Sequence, residues 1–182
     1  MLDKLIQFDR QLEQYIYLHH PKDADSFLMW TTNRATLITF IFISILILMY
    51  FIKKNKAYLL AGINISLIIG LSALVSNLIK LSTKRPRPYQ IDEKILTPVI
   101  DSGGYSFPSG HTTEVFALAM AVFLLFRNPF LRFFSFIWAI WIAYTRMALG
   151  VHYPLDILGG IFTGSITAYI WIKKIHNKLL SA

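Results

Sequence analysis

Three short stretches of this chain concentrate side chains able to do chemistry. The first runs from Lys80 to Pro88 and reads KLSTKRPRP. The second runs from Phe107 to His111 (FPSGH), and the third from Thr145 to Asp156 (TRMALGVHYPLD). There is no cysteine, so thiolate nucleophiles, thiolate metal sites and disulfides are excluded. What remains is the chemistry of cations, imidazoles, a serine and a carboxylate.

In the first stretch Lys80 and Arg87 are cations seven positions apart, and Pro86 and Pro88 stiffen the segment and end any helix there. Taken alone it also reads as a basic anchor snorkelling to lipid headgroups. In the second, Pro108 and Gly110 make a turn and Ser109 suits a helix N-cap. The amides that follow, with the helix dipole, make an anion site, and His111 sits in that first turn. A capped turn beside an interfacial histidine is the plainer alternative. In the third, Gly150 lets the chain break after Arg146, and Pro154 suits the first turn of a new helix. Asp156 follows His152 by four residues, close enough to accept a proton-bearing ring nitrogen, fix the tautomer and leave the other nitrogen free for attack. A carboxylate favoured by the dipole of a helix start is the competing reading of Asp156.

His111, His152 and Asp156 are also types that hold a catalytic zinc. Lys80, Arg87 and Arg146 around them would repel a cation and suit a phosphate far better. No metal is therefore expected.

The elements that must bring these stretches together are membrane spans. Hydrophobic types make up 55% of the 182 residues and charged types 15%, against about 25% charged in a soluble domain. A span needs about 20 mostly apolar residues. Ala35–Ile52, Ala57–Ile79, Thr112–Phe126, Pro129–Leu149 and Leu155–Ile172 qualify, the third by extension back to Ser109. Residues 1–30 differ. Leu5, Phe8, Leu12, Tyr15 and Ile16 recur at helical spacing with Asp3, Lys4, Gln7, Arg10, Gln11 and Gln14 between them, an amphipathic helix in the interface and not a cleavable signal. A sixth, irregular inserted segment is compatible with Ser26–Trp30. The expected fold is all-α: one polytopic bundle of about five to six transmembrane helices over residues 35–172, an N-terminal interfacial helix and a basic tail from residue 173 to 182.

The net charge of +8 fits an anionic bilayer surface better than nucleic acid, given the apolar content. With residues 1–34 outside, Lys53, Lys54, Lys56, Arg127, Arg132, Lys173, Lys174 and Lys178 all fall on the other side, with no acid among them. Clustered Lys and Arg in short loops mark the cytoplasmic face. Each of the three chemical stretches then lies at a span end on the outer face, where span ends of a bundle can meet.

Together the three stretches resemble the signature of the type 2 phosphatidic acid phosphatase (PAP2) superfamily. Lys80, six residues, then Arg87-Pro88 matches its first motif; Pro108-Ser109-Gly110-His111 its second; Arg146, five residues, His152, three residues, Asp156 its third. The third motif usually opens with Ser-Arg, and here it is Thr145-Arg146. The likeness is good from Ala57 to Gly164, and Trp30-Thr31-Thr32-Asn33 is loosely similar to some members.

The resemblance implies a metal-independent, cofactor-free lipid phosphatase with a phosphohistidine intermediate. His152 would be the nucleophile, oriented by Asp156; His111 would protonate the leaving oxygen and later activate water. Lys80, Arg87 and Arg146, with Ser109 and the Gly110 amide, would clamp the phosphoryl oxygens. The small size is similar to bacterial members that act on undecaprenyl diphosphate or phosphatidylglycerophosphate. That implies a multi-pass protein of the bacterial cytoplasmic membrane with its site facing outward. Phosphatidic acid and lipid A are alternative substrates, phosphoryl transfer an alternative reaction, and non-enzymatic binding of anionic lipid a third reading. The last predicts that Lys84 and Arg85 matter as much as Arg87 and Arg146. Phe116, Met120, Trp138 and Trp141 are candidate walls for a lipid tail; Gly160 and Gly164 read as close helix packing, and Asn64 and Asn77 as bonds across helices.

Overall fold

The computed structural model describes residues 2–91 and 103–176. Of the expected basic tail, residues 177–182, Lys178 among them, lie outside the described residues. Helix α1 (Leu2–His19) leads through a 3₁₀ turn into α2 (Asp25–Asn33), then α3 (Ala35–Lys53), α4 (Lys56–Thr83), the short α5 (Pro88–Ile91), α6 (Gly110–Leu125), α7 (Pro129–Ala148) and α8 (Pro154–Ile170). A π-helical turn, Trp171–His176, continues α8.

The boundaries follow local chemistry. The Asn55 side chain accepts the Ala57 amide at 2.9 Å to start α4, and Asn128 accepts the Leu131 amide at 3.1 Å to start α7 beside Pro129. Lys84 ends α4 in a left-handed conformation, with Pro86 following. Gly150 ends the α7 turn at φ +67°, and a Cβ there would stand 2.9 Å from the Tyr17 ring.

Helix α6 is the central post. Its Thr112, Thr113, Val115, Ala117, Ala119 and Ala121 are buried, and α8 packs directly against it. The pair approaches closely through Gly160 and Gly164. A Cβ on Gly164 would lie 2.2 Å from the Thr113 carbonyl oxygen, and one on Gly160 2.8 Å from that of Ser109. On the outside, Phe40, Ile52, Leu74, Phe130, Phe134 and Phe162 are exposed. A protein that turns such side chains outward on long helices has lipid as its solvent.

Lys22–Lys53, Lys56–Ile91 and Pro154–Lys174 are long and apolar enough to cross a bilayer. The expected third and fourth spans are less complete. At 16 residues, α6 is about 24 Å long, short of the roughly 30 Å hydrocarbon core. It is sheathed by other helices and need not meet lipid along its length. Helix α7 carries Arg132 and Arg146, which lower its apolar character. The inserted segment expected at Ser26–Trp30 is a regular helix, α2, separated from α3 only by Arg34.

Helix α1 is amphipathic in an unexpected sense. Leu5, Phe8 and Tyr15 are exposed, whereas Asp9, Glu13 and His20 are buried against the bundle. Leu5, Phe8 and Tyr15 of the apolar stripe face outward, while Ile16 packs against the bundle on the side of the acids.

Candidate active site

The C-terminal ends of α4 and α7 and the N-terminal ends of α6 and α8 gather at one end of the bundle. The three stretches converge there. Arg87 is 6% exposed, and its Nη1 donates to the Val151 carbonyl at 3.0 Å and to His152 Nε2 at 3.2 Å. Its Nε donates to the carbonyls of Gly103 and Gly104 at 2.8 and 3.2 Å. Lys80, in the last turn of α4, donates to the Tyr105 carbonyl at 2.9 Å. Arg146 is buried and donates through Nη1 to Thr32 Oγ1 at 3.0 Å.

His152 is enclosed in the turn between α7 and α8. Its Nδ1 is 3.4 Å from Asp156 Oδ2 and 3.4 Å from Ser106 Oγ. These are at the loose edge of hydrogen-bond range, as is common before a substrate is bound. The ring is thus polarised: Nδ1 faces the carboxylate and Nε2 presents its lone pair to a guanidinium. Burial drives the imidazole down to about 3; the Asp156 hydrogen bond pulls it back up, and Arg146 and Arg87 push it further down. At neutral pH it is a free base, the form a nucleophile needs.

Asp156 combines both expected roles. Oδ2 accepts the Tyr153 amide at 2.9 Å, capping α8, and also accepts the Ser106 hydroxyl and faces His152. Oδ1 accepts Arg85 Nη1 at 2.7 Å.

Ser109 occupies the N-cap position of α6 but does not cap it, contrary to expectation. Its amide donates to the Asp156 carbonyl at 3.0 Å, and its hydroxyl accepts from Thr112 Oγ1 at 3.0 Å. The serine instead ties α6 to α8, and no capping side chain competes for the first-turn amides beside Gly110. His111, in that turn, is within electrostatic reach of Arg146, Arg87 and Lys80. Among the described residues, no three of His, Asp and Glu are grouped to hold a metal ion.

Sequence reasoning missed Arg85, Ser106 and Thr32. Lys84 and Arg85 had no assigned role in the phosphatase reading; Lys84 is exposed, while Arg85 bridges Asp156 and Asp9. The RPRP run and the TT dipeptide were visible, but nothing in their spacing revealed partners 71 and 114 residues away. Thr145 donates its hydroxyl to the Ile142 carbonyl within its own helix at 2.7 Å.

A cleft of about 210 Å³ opens between α4 and α6, lined by Ile69, Ser76, Asn77, Gly110, Thr113 and Glu114. None of the expected tail walls lines it. Phe116 packs in the core against Phe136, and the Trp141 indole donates to Thr31 Oγ1 at 3.3 Å. Met120 packs against the core, and Trp138 borders a groove with Ile38, Phe42 and Leu131. Asn64 does bond across helices, accepting the Trp171 indole at 2.8 Å, whereas Asn77 faces the cleft.

The chain is 30% identical over 156 residues to the undecaprenyl-diphosphatase BcrC of Bacillus subtilis, covering 85% of this chain and 77% of that one. It is 34% identical over 110 residues to the lipid A 1-phosphatase of Rhizobium etli, covering 56% of this chain and 47% of that one. The crystal structure of a transmembrane PAP2-type phosphatidylglycerolphosphate phosphatase from Bacillus subtilis superposes with a TM-score of 0.79 at 20% identity, over 97% of this chain and 88% of that one. Residues 61–179 match the PAP2 superfamily, a range that contains the three motif stretches: this membrane protein belongs to that superfamily and is a phosphatase.

Proposed function

We propose that the chain removes the terminal phosphate of undecaprenyl diphosphate through a phosphohistidine on His152. The observation that carries the reading is the polarity of one buried ring, with Nδ1 toward Asp156 and Nε2 toward Arg87. An Nε2 lone pair held beside a cation meets the phosphorus of a group whose oxygens that cation also binds.

Nε2 attacks the terminal phosphorus, a P–N bond forms, and the P–O bond to the lipid-borne phosphate breaks. His111 donates a proton to the departing oxygen. Lys80, Arg87 and Arg146, with the Gly110 amide at the start of α6, hold the three equatorial oxygens, while Ser109 fixes that helix start against α8. Water then attacks phosphorus, His111 takes its proton, the P–N bond breaks, and phosphate leaves. The cleft between α4 and α6, with Gly110 at its head, suits the start of a lipid tail. The likeness to an undecaprenyl-diphosphatase over most of both chains favours that substrate. The charge distribution favours a site on the outer face of a bacterial cytoplasmic membrane.

The test is phosphate release from undecaprenyl diphosphate, phosphatidylglycerophosphate, phosphatidic acid and lipid A, each in detergent with chelator present. Undecaprenyl diphosphate is expected to turn over fastest, and His152→Ala to turn over none. Undiminished release by His152→Ala defeats the mechanism; preference for another lipid defeats the substrate assignment; dependence on added metal defeats the cofactor-free chemistry.

A further inference from the structure

The N-terminal helix touches the catalytic pair through one arginine. Asp9, on the inward face of α1, is 2% exposed. Its Oδ1 accepts the Leu155 amide at 2.8 Å, at the start of α8, and its Oδ2 accepts Arg85 Nη2. The other arm of the same guanidinium, Nη1, donates to Asp156 Oδ1 at 2.7 Å. The guanidinium lies 4.1 Å over the Tyr153 ring, which limits its swing. The Arg85 backbone contributes as well: its carbonyl accepts the Ser106 amide at 2.8 Å, and the Ser106 hydroxyl donates to Asp156 Oδ2.

From this geometry we infer that Asp9 and Arg85 are positioning residues of the phosphatase reaction, with α1 holding Arg85 and Arg85 holding Asp156 so that Oδ2 faces His152. The inference rests on the reading of His152 as nucleophile. Asp9 precedes residue 61, where the superfamily match begins, so this support comes from a segment outside the matched region.

Two physical effects make the arrangement useful. A buried carboxylate with Oδ1 held by one arm of Arg85, and Oδ2 by the Tyr153 amide and the Ser106 hydroxyl, cannot rotate Oδ2 away from the imidazole. And a guanidinium shared with a second carboxylate withdraws less from Asp156, which keeps it a good acceptor for the Nδ1 proton. Leu5, Phe8, Tyr15 and Leu18 on the opposite face of α1 are exposed to lipid. A helix seated in the interface is thereby also a strut of the site.

The test uses the purified full-length protein in detergent, with kcat, KM and pH profiles for undecaprenyl diphosphate. Arg85→Ala is expected to lower kcat by about 10²-fold, the scale of a small misplacement of reacting groups, with KM little changed. Its acidic limb should move to higher pH, because Asp156 would then lack its nearest cation and face Asp9. Of the other charged groups, His152 and Lys80 bear on Asp156, and Arg87 and Arg146 bear on His152; all four are left in place. Arg85→Lys should restore part of kcat, and Asp9→Asn should lower it by a smaller factor. The double variant Asp9→Asn/Arg85→Ala, in which position 9 keeps an acceptor oxygen for the Leu155 amide, should be no slower than Arg85→Ala alone, since the charge of Asp9 acts through the arginine.

Wild-type kcat and pH profile in Arg85→Ala and Asp9→Asn overturn the inference, as do losses in KM alone or losses that multiply in the double variant. If Arg85→Ala does not fold, Arg85→Lys and Asp9→Asn decide it: wild-type kcat and pH profile in both overturn it. A His152→Ala protein as active as wild type would instead end the functional reading itself.

Discussion

At the residue scale the decisive feature is an imidazole kept neutral inside a cluster of cations. Burial is the larger cause, and Arg146 and Arg87 add to it against the pull of Asp156. This has a sign that stability measurements can read. His152 ionises near 6.5 when unfolded and near 3 when folded. Between those values the unfolded chain binds one more proton, so stability rises with pH across that window. The term is flat above about pH 6.5 and grows more unfavourable as pH falls below it, by up to about 1.4 kcal/mol per unit. His152→Gln removes the titration. The difference in thermal midpoint between wild type and His152→Gln, scanned at one rate without phosphate, should be constant above pH 6.5 and shrink or reverse below it. A difference that stays level down to pH 4 would mean that the buried ring keeps an ordinary basicity. The residues that bear the phosphatase motifs were legible because their types and intervals are constrained by chemistry. Arg85, Ser106 and Thr32 were not, because each acts through a partner far along the chain, and a guanidinium that braces a carboxylate looks in sequence like any other basic residue near a membrane.

At the element scale the site depends on how closely α6 and α8 approach. One carries Ser109, Gly110 and His111, and the other opens on Asp156. Gly160 and Gly164 set that distance, and the GxxxG spacing announced it. The packing direction of α1 was not announced: an apolar stripe and an acidic stripe are equally visible in sequence. Which one faces protein depends on Arg85 waiting on the other side. Gly164→Ala places a methyl 2.2 Å from the Thr113 carbonyl oxygen and 2.8 Å from the Ala117 amide nitrogen, both backbone atoms that cannot rotate away. The helices must part, at a cost of about 1–3 kcal/mol. Thermal stability and kcat should fall together, since the separation also moves His111 away from His152. Gly70→Ala is the control: nothing lies within 4 Å of its added Cβ, so kcat should hold and thermal stability should not fall, a helix-interior alanine being favoured over glycine by up to about 1 kcal/mol. Equal behaviour of the two variants would mean that the small residues do not set the interhelical distance.

At the scale of the whole molecule, one end of the bundle collects the site and the other collects bare positive charge. The carboxylates Asp9, Asp25, Glu114 and Asp156 all lie toward the site end, each engaged by an arginine, a histidine or a threonine. Lys53, Lys54, Lys56, Arg127, Arg132, Lys173 and Lys174 stand at the opposite end without an acid among them. Clustered Lys and Arg in short loops resist translocation, and here they cluster in the connections at that end. The cationic end should therefore remain in the cytoplasm and the phosphate cup should open outward. The absence of cysteine makes this directly measurable, because any introduced thiol is the sole target of a maleimide. Lys84→Cys marks the site end and Lys54→Cys the far end, and both positions are exposed. On intact cells stripped of outer barriers, a membrane-impermeant maleimide should label Lys84→Cys at once and Lys54→Cys only after the membrane is opened. Each variant must first be shown to release phosphate, so that labelling reports the folded protein. The reverse pattern would turn the cup toward the cytoplasm, and the substrate would then have to be a lipid diphosphate presented on the inner leaflet.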